Sequence, residues 1–270
     1  MEVLIRPDAS TAALLAARVI AREIRVKPDL VLGLATGRTM ERVYAWLVIF
    51  HREEGLDFSR CQTFNLDEYI GIPAHHEGSY RFYMQEHLFD RVNLLPGKTH
   101  LPDGMATDLR AESSRYEELI KNVGGIDLQL LGLGTDGHIG FNEPLSALLS
   151  RTREKALTPS TRAQNAAMFG GDLAHVPFRA ITMGVGTILD SRRAILLATG
   201  SAKAPSLAKA VEGPITSMVT ASALQLHPHC QVMVDEAAAA NLQGQEYYRW
   251  IFANEPEWAE FRDLEALDPH

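Results

Sequence analysis

The sequence predicts an α/β fold: a single-domain, doubly wound, mostly parallel sheet with helices on both faces, plus a lid segment. Three observations predict it. Short continuous apolar runs such as Leu30-Val-Leu-Gly-Leu-Ala35 and Ala194-Ile-Leu-Leu-Ala198 are typical of strands buried on both faces. Amphipathic stretches with apolar residues at helical spacing alternate with these runs over most of the length. The segments densest in Gly, Thr and charged residues follow predicted strands, where an open sheet of Rossmann-like type places its ligand chemistry.

Taken in order, Met1, Val3 and Ile5 alternate as a first strand. Ser10 offers an N-cap to a helix whose Ala13, Ala16, Ile20 and Ile24 fall at helical spacing, closed by Pro28. The strand from Leu30 runs into Thr36-Gly-Arg-Thr39 and a helix with Val43, Trp46, Leu47 and Phe50 on one face. Backbone amides and hydroxyls of such a turn can hold one phosphate at the helix N-terminus. A capped tight turn without a ligand has the same sequence. Cys61-Gln-Thr-Phe-Asn-Leu66 is the next strand, and Asp67-Glu-Tyr69 leaves its end toward a turn at Gly71 and Pro73. Of these two adjacent carboxylates, one can act as a base while the other is structural or solvated. Ser79 opens an amphipathic helix through Phe82, Tyr83, Glu86 and Leu88 that ends near Pro96. Asp108 caps another, with Leu109, Tyr116 and Ile120 on one stripe.

Ile126-Asp-Leu-Gln-Leu-Leu131 alternates like a strand, which puts Asp136, His138 and Glu143 on the loop leaving its carboxyl end. From 145 to 177 the periodicity is lost while Arg151, Arg153, Lys155 and Arg162 accumulate. A structureless stretch of that length inside a compact domain is usually a lid or binding element, the alternative being a surface loop with solvated charges. Regular pattern resumes with Ala180-Ile-Thr-Met-Gly-Val185, the strand from Ala194, a Gly200-Ser-Ala-Lys-Ala204 turn into a helix, and the strand Gln231-Val-Met-Val234. A last helical region carries Tyr248 and Phe252. In a doubly wound sheet the turns at Thr36, Asp67, Asp136 and Lys203 converge on one edge.

Bulk properties narrow the function. A chain of 270 residues, 46% hydrophobic, buries a sizeable core and is read as one domain, 1–270, with a lid-like insertion at 145–177. The net charge of -8 repels nucleic-acid backbones and no Lys/Arg run offsets it, so any phosphate must be held locally. No apolar stretch approaches a membrane span, and Met1-Glu-Val-Leu-Ile-Arg lacks the basic and apolar regions of a signal peptide. A cytoplasmic protein is expected. Cys61 and Cys230 read as two buried thiols.

Gly132-Leu-Gly-Thr-Asp-Gly137 matches a dinucleotide fingerprint, with Glu154 near the place of a ribose-binding acid. The fingerprint needs a helix after its third glycine, and His138-Ile-Gly-Phe-Asn-Glu-Pro144 supplies another glycine and a proline instead, so no redox cofactor is expected. There is no His-Glu-x-x-His or Cys-x-x-Cys. Asp136, His138 and Glu143 have metal-ligand chemistry but equally suit a hydrogen-bonded cluster, and no metal is expected. A Gly-x-Ser-x-Gly elbow is also missing. What remains is cofactor-free acid-base chemistry. A carboxylate bonded to imidazole fixes its tautomer and raises its basicity, so His138 can take and return protons near neutral pH. Asp67, on another strand end, is free for a second transfer. Two proton stations beside a phosphate-holding turn suit ring opening and isomerisation of a sugar phosphate.

Thr63-Phe-Asn-Leu-Asp-Glu-Tyr69, Gly134-Thr-Asp-Gly-His-Ile-Gly-Phe-Asn-Glu-Pro144, Ser150-Arg-Thr-Arg153, Gly184-Val-Gly-Thr-Ile-Leu189 and Leu224-Gln-Leu-His-Pro228 resemble, in matching order, the glucosamine-6-phosphate deaminase (isomerase) family. The likeness spans residues 32–235. Related 6-phosphogluconolactonases share the Asp-Gly-His loop, but the Asp-Glu-Tyr and Phe-Asn-Glu-Pro pieces look like the deaminase branch. The resemblance implies conversion of glucosamine 6-phosphate and water to fructose 6-phosphate and ammonium, with no cofactor. It implies that His138 opens the sugar ring with Asp136 and Glu143 orienting it, and that Asp67 moves a proton between carbons 2 and 1. It places the phosphate on Thr36, Gly37, Arg38, Thr39 and Lys203. In allosteric, hexameric members of the family, Ser146, Arg153 and Lys155, with Met1, resemble part of an effector site, so a homo-oligomer is one implied assembly. Two departures stand out: Arg38-Thr39-Met40 replaces a small residue followed by Thr-Pro, and the lid arginine that helps hold the phosphate falls on Ala167. Arg38 is expected to compensate for Ala167. The same departures keep other readings open: a different amino-sugar phosphate such as galactosamine 6-phosphate, a lactonase-like hydrolase, or a non-catalytic sugar-phosphate-binding regulator.

Overall fold

The computed structural model describes residues 1–264. Its strands are β1 (Glu2–Arg6), β2 (Val31–Leu34), β3 (Gln62–Asn65), β4 (Asp67–Tyr69), β5 (Thr99–His100), β6 (Leu128–Gly132), β7 (Arg153–Ala156), β8 (Arg179–Thr182), β9 (Arg193–Ala198) and β10 (Cys230–Asp235). Its α-helices are α1 (Ala9–Val26), α2 (Arg38–Glu54), α3 (Tyr80–His87), α4 (Leu109–Asn122), α5 (Pro159–Asn165), α6 (Val185–Leu189), α7 (Ala204–Val211), α8 (Glu236–Ala239) and α9 (Gln245–Asn254). No helix among the described residues is long and apolar enough to cross a membrane.

Seven strands form an all-parallel sheet in the order β1-β10-β9-β6-β2-β3-β5. The expected α/β architecture is therefore present. β9 and β10 are buried throughout or nearly so, as continuous apolar runs require when both faces are covered. The order fixes the ligand edge. From β2 the chain moves outward to β3, whereas from β6 it moves the other way to β9, so the winding reverses between β2 and β6. A crevice opens at the carboxyl ends of strands at such a switch point. Here those ends are Ala35-Thr36-Gly37 and Leu133-Gly134-Thr135.

Several local expectations are corrected. Asp8, not Ser10, caps α1: its extended backbone lets Oδ1 accept from the Thr11 amide at 2.7 Å, while Ser10 lies inside the helix. The helix opened by Ser79 stops at His87 and gives way to a 3-10 turn, well short of Pro96. The two-residue β5 escaped notice because it is too short to show a period. Asp67–Tyr69 is not a loop, and Arg179–Thr182 does not join the main sheet. Both belong to a second, antiparallel sheet ordered β4-β8-β7, in which Asp67 pairs with Thr182. The segment 145–177 is also more regular than expected, since it contains β7 and α5. β7 reads Arg-Glu-Lys-Ala, half-buried and exposed in alternation, so it has no apolar signal to find. Cys61 and Cys230 are buried free thiols.

Candidate active site

A cavity of about 740 Å³ opens at the switch point and gathers residues from both halves of the sheet. Thr36, Gly37, Arg38 and Thr39 line it at the N-terminus of α2, which Gly37 caps with φ 114; the first turn of a helix leaves backbone amides without intrahelical partners. Lys203, at the start of α7, lines the same cavity. Burial lowers the Lys203 pKa; Asp136 pulls it up, Arg38 pushes it down, and the net result lies below the ordinary lysine range. Arg38 and Lys203 are thus close enough to repel, and an anion between them would relieve that repulsion. Arg38 is exposed and, among the described residues, makes no ion pair. Ala167 lies exposed on a 3-10 turn outside the cavity lining, and the cations of that lining are Arg38, Arg42 and Lys203.

Asp67 lines the same cavity from β4 and His138 from the loop after β6. Asp67 is 4% exposed, and burial together with the neighbouring Glu68 carboxylate raises its pKa to about 8. The Thr182 hydroxyl, 3.4 Å from Asp67 Oδ2, and the Phe141 amide oppose that rise. Glu68, the second of the adjacent carboxylates, is structural and not solvated. It is buried and accepts from the amides of Tyr69, Tyr80 and Arg81, which ties β4 to the start of α3.

His138 Nδ1 sits 2.6 Å from Asp136 Oδ1 and 3.7 Å from Glu143 Oε2. Burial alone would raise the Asp136 pKa, but the contact with His138 outweighs it and holds the carboxyl below its usual range. Gly134 makes room for the imidazole, and Gly140 for the groups around Asp67. A Cβ on Gly134 would fall 2.5 Å from the His138 ring, and one on Gly140, at φ 55, would fall 3.0 Å from Thr182 Oγ1 and 3.4 Å from Asp67 Oδ2. Asp136, His138 and Glu143 also form the one group among the described residues able to gather round a metal ion, with donor atoms within 4.8 Å. Ligands on a common tetrahedral zinc keep roughly 3.3 Å apart, given metal–ligand distances of about 2.0 Å. At 2.6 Å the imidazole and Asp136 stand closer than that, in an ion-pair contact that lacks hydrogen-bond alignment, while Asp136 Oδ1 accepts from the His138 backbone amide at 3.1 Å.

The structure therefore brings Thr36, Gly37, Arg38, Thr39, Asp67, His138 and Lys203 to one cavity, with Asp136 and Glu143 behind His138 and outside the lining. Ser146, Arg153 and Lys155 do not line it: Ser146 is buried, Arg153 donates to Asn142 Oδ1 at 2.7 Å, and Lys155 is half-buried on β7. Sequence reasoning missed Arg42, Tyr80, Gln164 and Asn165, which complete the wall. Arg42 lies one turn after Arg38 and was legible from the i, i+4 spacing. The others have no local signal, because α3 and α5 reach the cavity through tertiary packing; Gln164 of α5 donates to Thr135 across it.

The chain matches the family described as glucosamine-6-phosphate isomerases/6-phosphogluconolactonase over residues 8–234. A glucosamine-6-phosphate deaminase of Arthrobacter sp. (strain FB24) is 50% identical over 258 residues, covering 96% of this chain and 99% of the relative. Glucosamine-6-phosphate deaminase 2 of Giardia intestinalis is 51% identical over 231 residues, 86% of this chain and 88% of the relative. A solved structure of a monomeric glucosamine-6-phosphate deaminase superposes with a TM-score of 0.87 at 43% identity, covering 89% of this chain and 100% of that one. A 6-phosphogluconolactonase from Trypanosoma cruzi, 19% identical over 90% of this chain and 97% of its own, shares the fold with a TM-score of 0.71. With a family match over residues 8–234 and about half of its sequence shared with these relatives, the chain belongs to the glucosamine-6-phosphate isomerase/6-phosphogluconolactonase family.

Proposed function

We propose that this protein is an enzyme that converts glucosamine 6-phosphate and water to fructose 6-phosphate and ammonium by acid-base catalysis. The observation that carries the reading is that two separate proton-handling groups, Asp67 and His138, line one cavity together with Arg38, Lys203 and a helix N-terminus. The phosphate sits on the amides of the Thr36–Thr39 turn with Arg38 and Lys203. His138, its Nδ1 held by Asp136 with Glu143 nearby, takes the proton of the anomeric hydroxyl and returns one to the ring oxygen, which opens the ring. In its ionised form Asp67 takes the proton from carbon 2 of the open chain and delivers it to carbon 1 through an enol-type intermediate. The resulting imine at carbon 2 is hydrolysed by water to the ketone, and ammonium leaves. Asp136 and Glu143 act through His138 and are positioning residues.

The deaminase relatives, near half identity over most of the chain, support this branch over a lactonase, whose representatives here share only the fold. The test is ammonium release from glucosamine 6-phosphate, run beside galactosamine 6-phosphate and 6-phosphogluconolactone. Release from the first substrate in clear excess over the second is expected. Lactone hydrolysis without ammonium from either amino sugar would overturn the reading.

A further inference from the structure

Glu143 is held from a direction that its contact with His138 does not explain. It is 4% exposed, and its Oε1 takes two hydrogen bonds, both from Thr158: the backbone N–H at 3.1 Å and the hydroxyl at 3.3 Å. Its Oε2 receives no hydrogen bond and is the oxygen that faces His138 Nδ1 at 3.7 Å. Thr158 is at the same time the N-cap of α5. Its hydroxyl oxygen accepts from the Thr161 amide at 3.2 Å and lies 3.1 Å from the Thr161 hydroxyl. With its own proton directed to Glu143, that oxygen keeps lone pairs for both Thr161 groups. α5 in turn carries Thr161 and Gln164 into the cavity wall, and Gln164 is bonded to Thr135 on the loop that bears His138.

We propose that Thr158 is a positioning residue for the ring-opening relay: its two donors turn Glu143 so that Oε2 faces His138, and its cap on α5 ties that orientation to the seating of the cavity wall. The inference rests on the deaminase reading and deepens it. A buried carboxylate with one oxygen satisfied has its rotation fixed, and hydrogen bonds to a charged acceptor are about twice as strong as neutral ones. Without the hydroxyl, Glu143 keeps only the Thr158 amide and can turn away from the imidazole. Thr158 is not part of the cavity lining, so binding should be spared.

The experiment is steady-state ammonium release by Thr158→Val, Thr158→Ser and Thr158→Asp, with thermal melting to monitor folding. Val is expected to lower kcat about tenfold with KM within about twofold, and Ser to restore kcat to within about twofold of wild type. Asp caps a helix at least as well as Thr but sets a second carboxylate against Glu143, so it is expected to be no better than Val. Wild-type kcat in Thr158→Val, a change confined to KM, or full rescue by Asp would overturn the proposal, the last because capping alone would then suffice. A wild-type protein that releases no ammonium would overturn the deaminase reading itself, and this inference with it.

Discussion

At the scale of single residues, burial makes Asp67 a proton-transfer group. A carboxyl raised to about 8 by desolvation and by Glu68 holds its proton over part of the neutral range and loses it as pH rises. If its ionised form is the base, kcat/KM rises with pH along a limb set by this group in the free enzyme. Thr182 donates to the carboxylate and so favours the ionised form, which fixes the sign of a variant. Thr182→Val should move the limb to higher pH and lower the rate at pH 7, as a kcat/KM profile would show; a shift to lower pH would contradict the assignment. Arg38 belongs to the same scale. Arg38→Ala should raise KM for the sugar phosphate about five- to tenfold and leave kcat within about twofold, because one exposed charge-assisted contact contributes about 1 kcal/mol of uniform binding. An unchanged KM would mean that Arg38 does not stand in for the arginine absent at Ala167.

At the scale of elements, the strand-turn-helix unit around Thr36 and the loop after β6 were legible because each carries its own signal: an apolar strand, a glycine turn and, in the second, a dense set of titratable groups. The second sheet was not. β4, β7 and β8 are three or four residues long, β7 is charged throughout but for one alanine, and their pairing is a tertiary event. Yet that sheet turns Asp67 off the end of β3 and sets it beside Thr182. Glu68 was open to a solvated reading for a related reason, since the amides it satisfies arrive from residues 80 and 81. The loop makes a prediction of its own. Gly134→Ala places a methyl 2.5 Å from the His138 ring, so it should displace the imidazole and cost at least tenfold in kcat, measured by ammonium release, with a smaller change in KM. Wild-type turnover in Gly134→Ala would show that the ring position is not critical.

At the scale of the whole molecule, the winding reversal between β2 and β6 does the gathering. It lays a helix N-terminus and the His138 loop side by side at one crevice, and the second sheet delivers Asp67 to the same opening. The central claim is that ring opening and carbon-to-carbon proton transfer are assigned to separate groups, so that phosphate binding and the His138 relay survive loss of the second station. The most direct test is ammonium release by Asp67→Asn, read beside its affinity for glucosamine 6-phosphate. A fall of about 10²- to 10⁴-fold in turnover, with affinity within about threefold of wild type, is the predicted result. Turnover in Asp67→Asn within about tenfold of wild type would contradict the account.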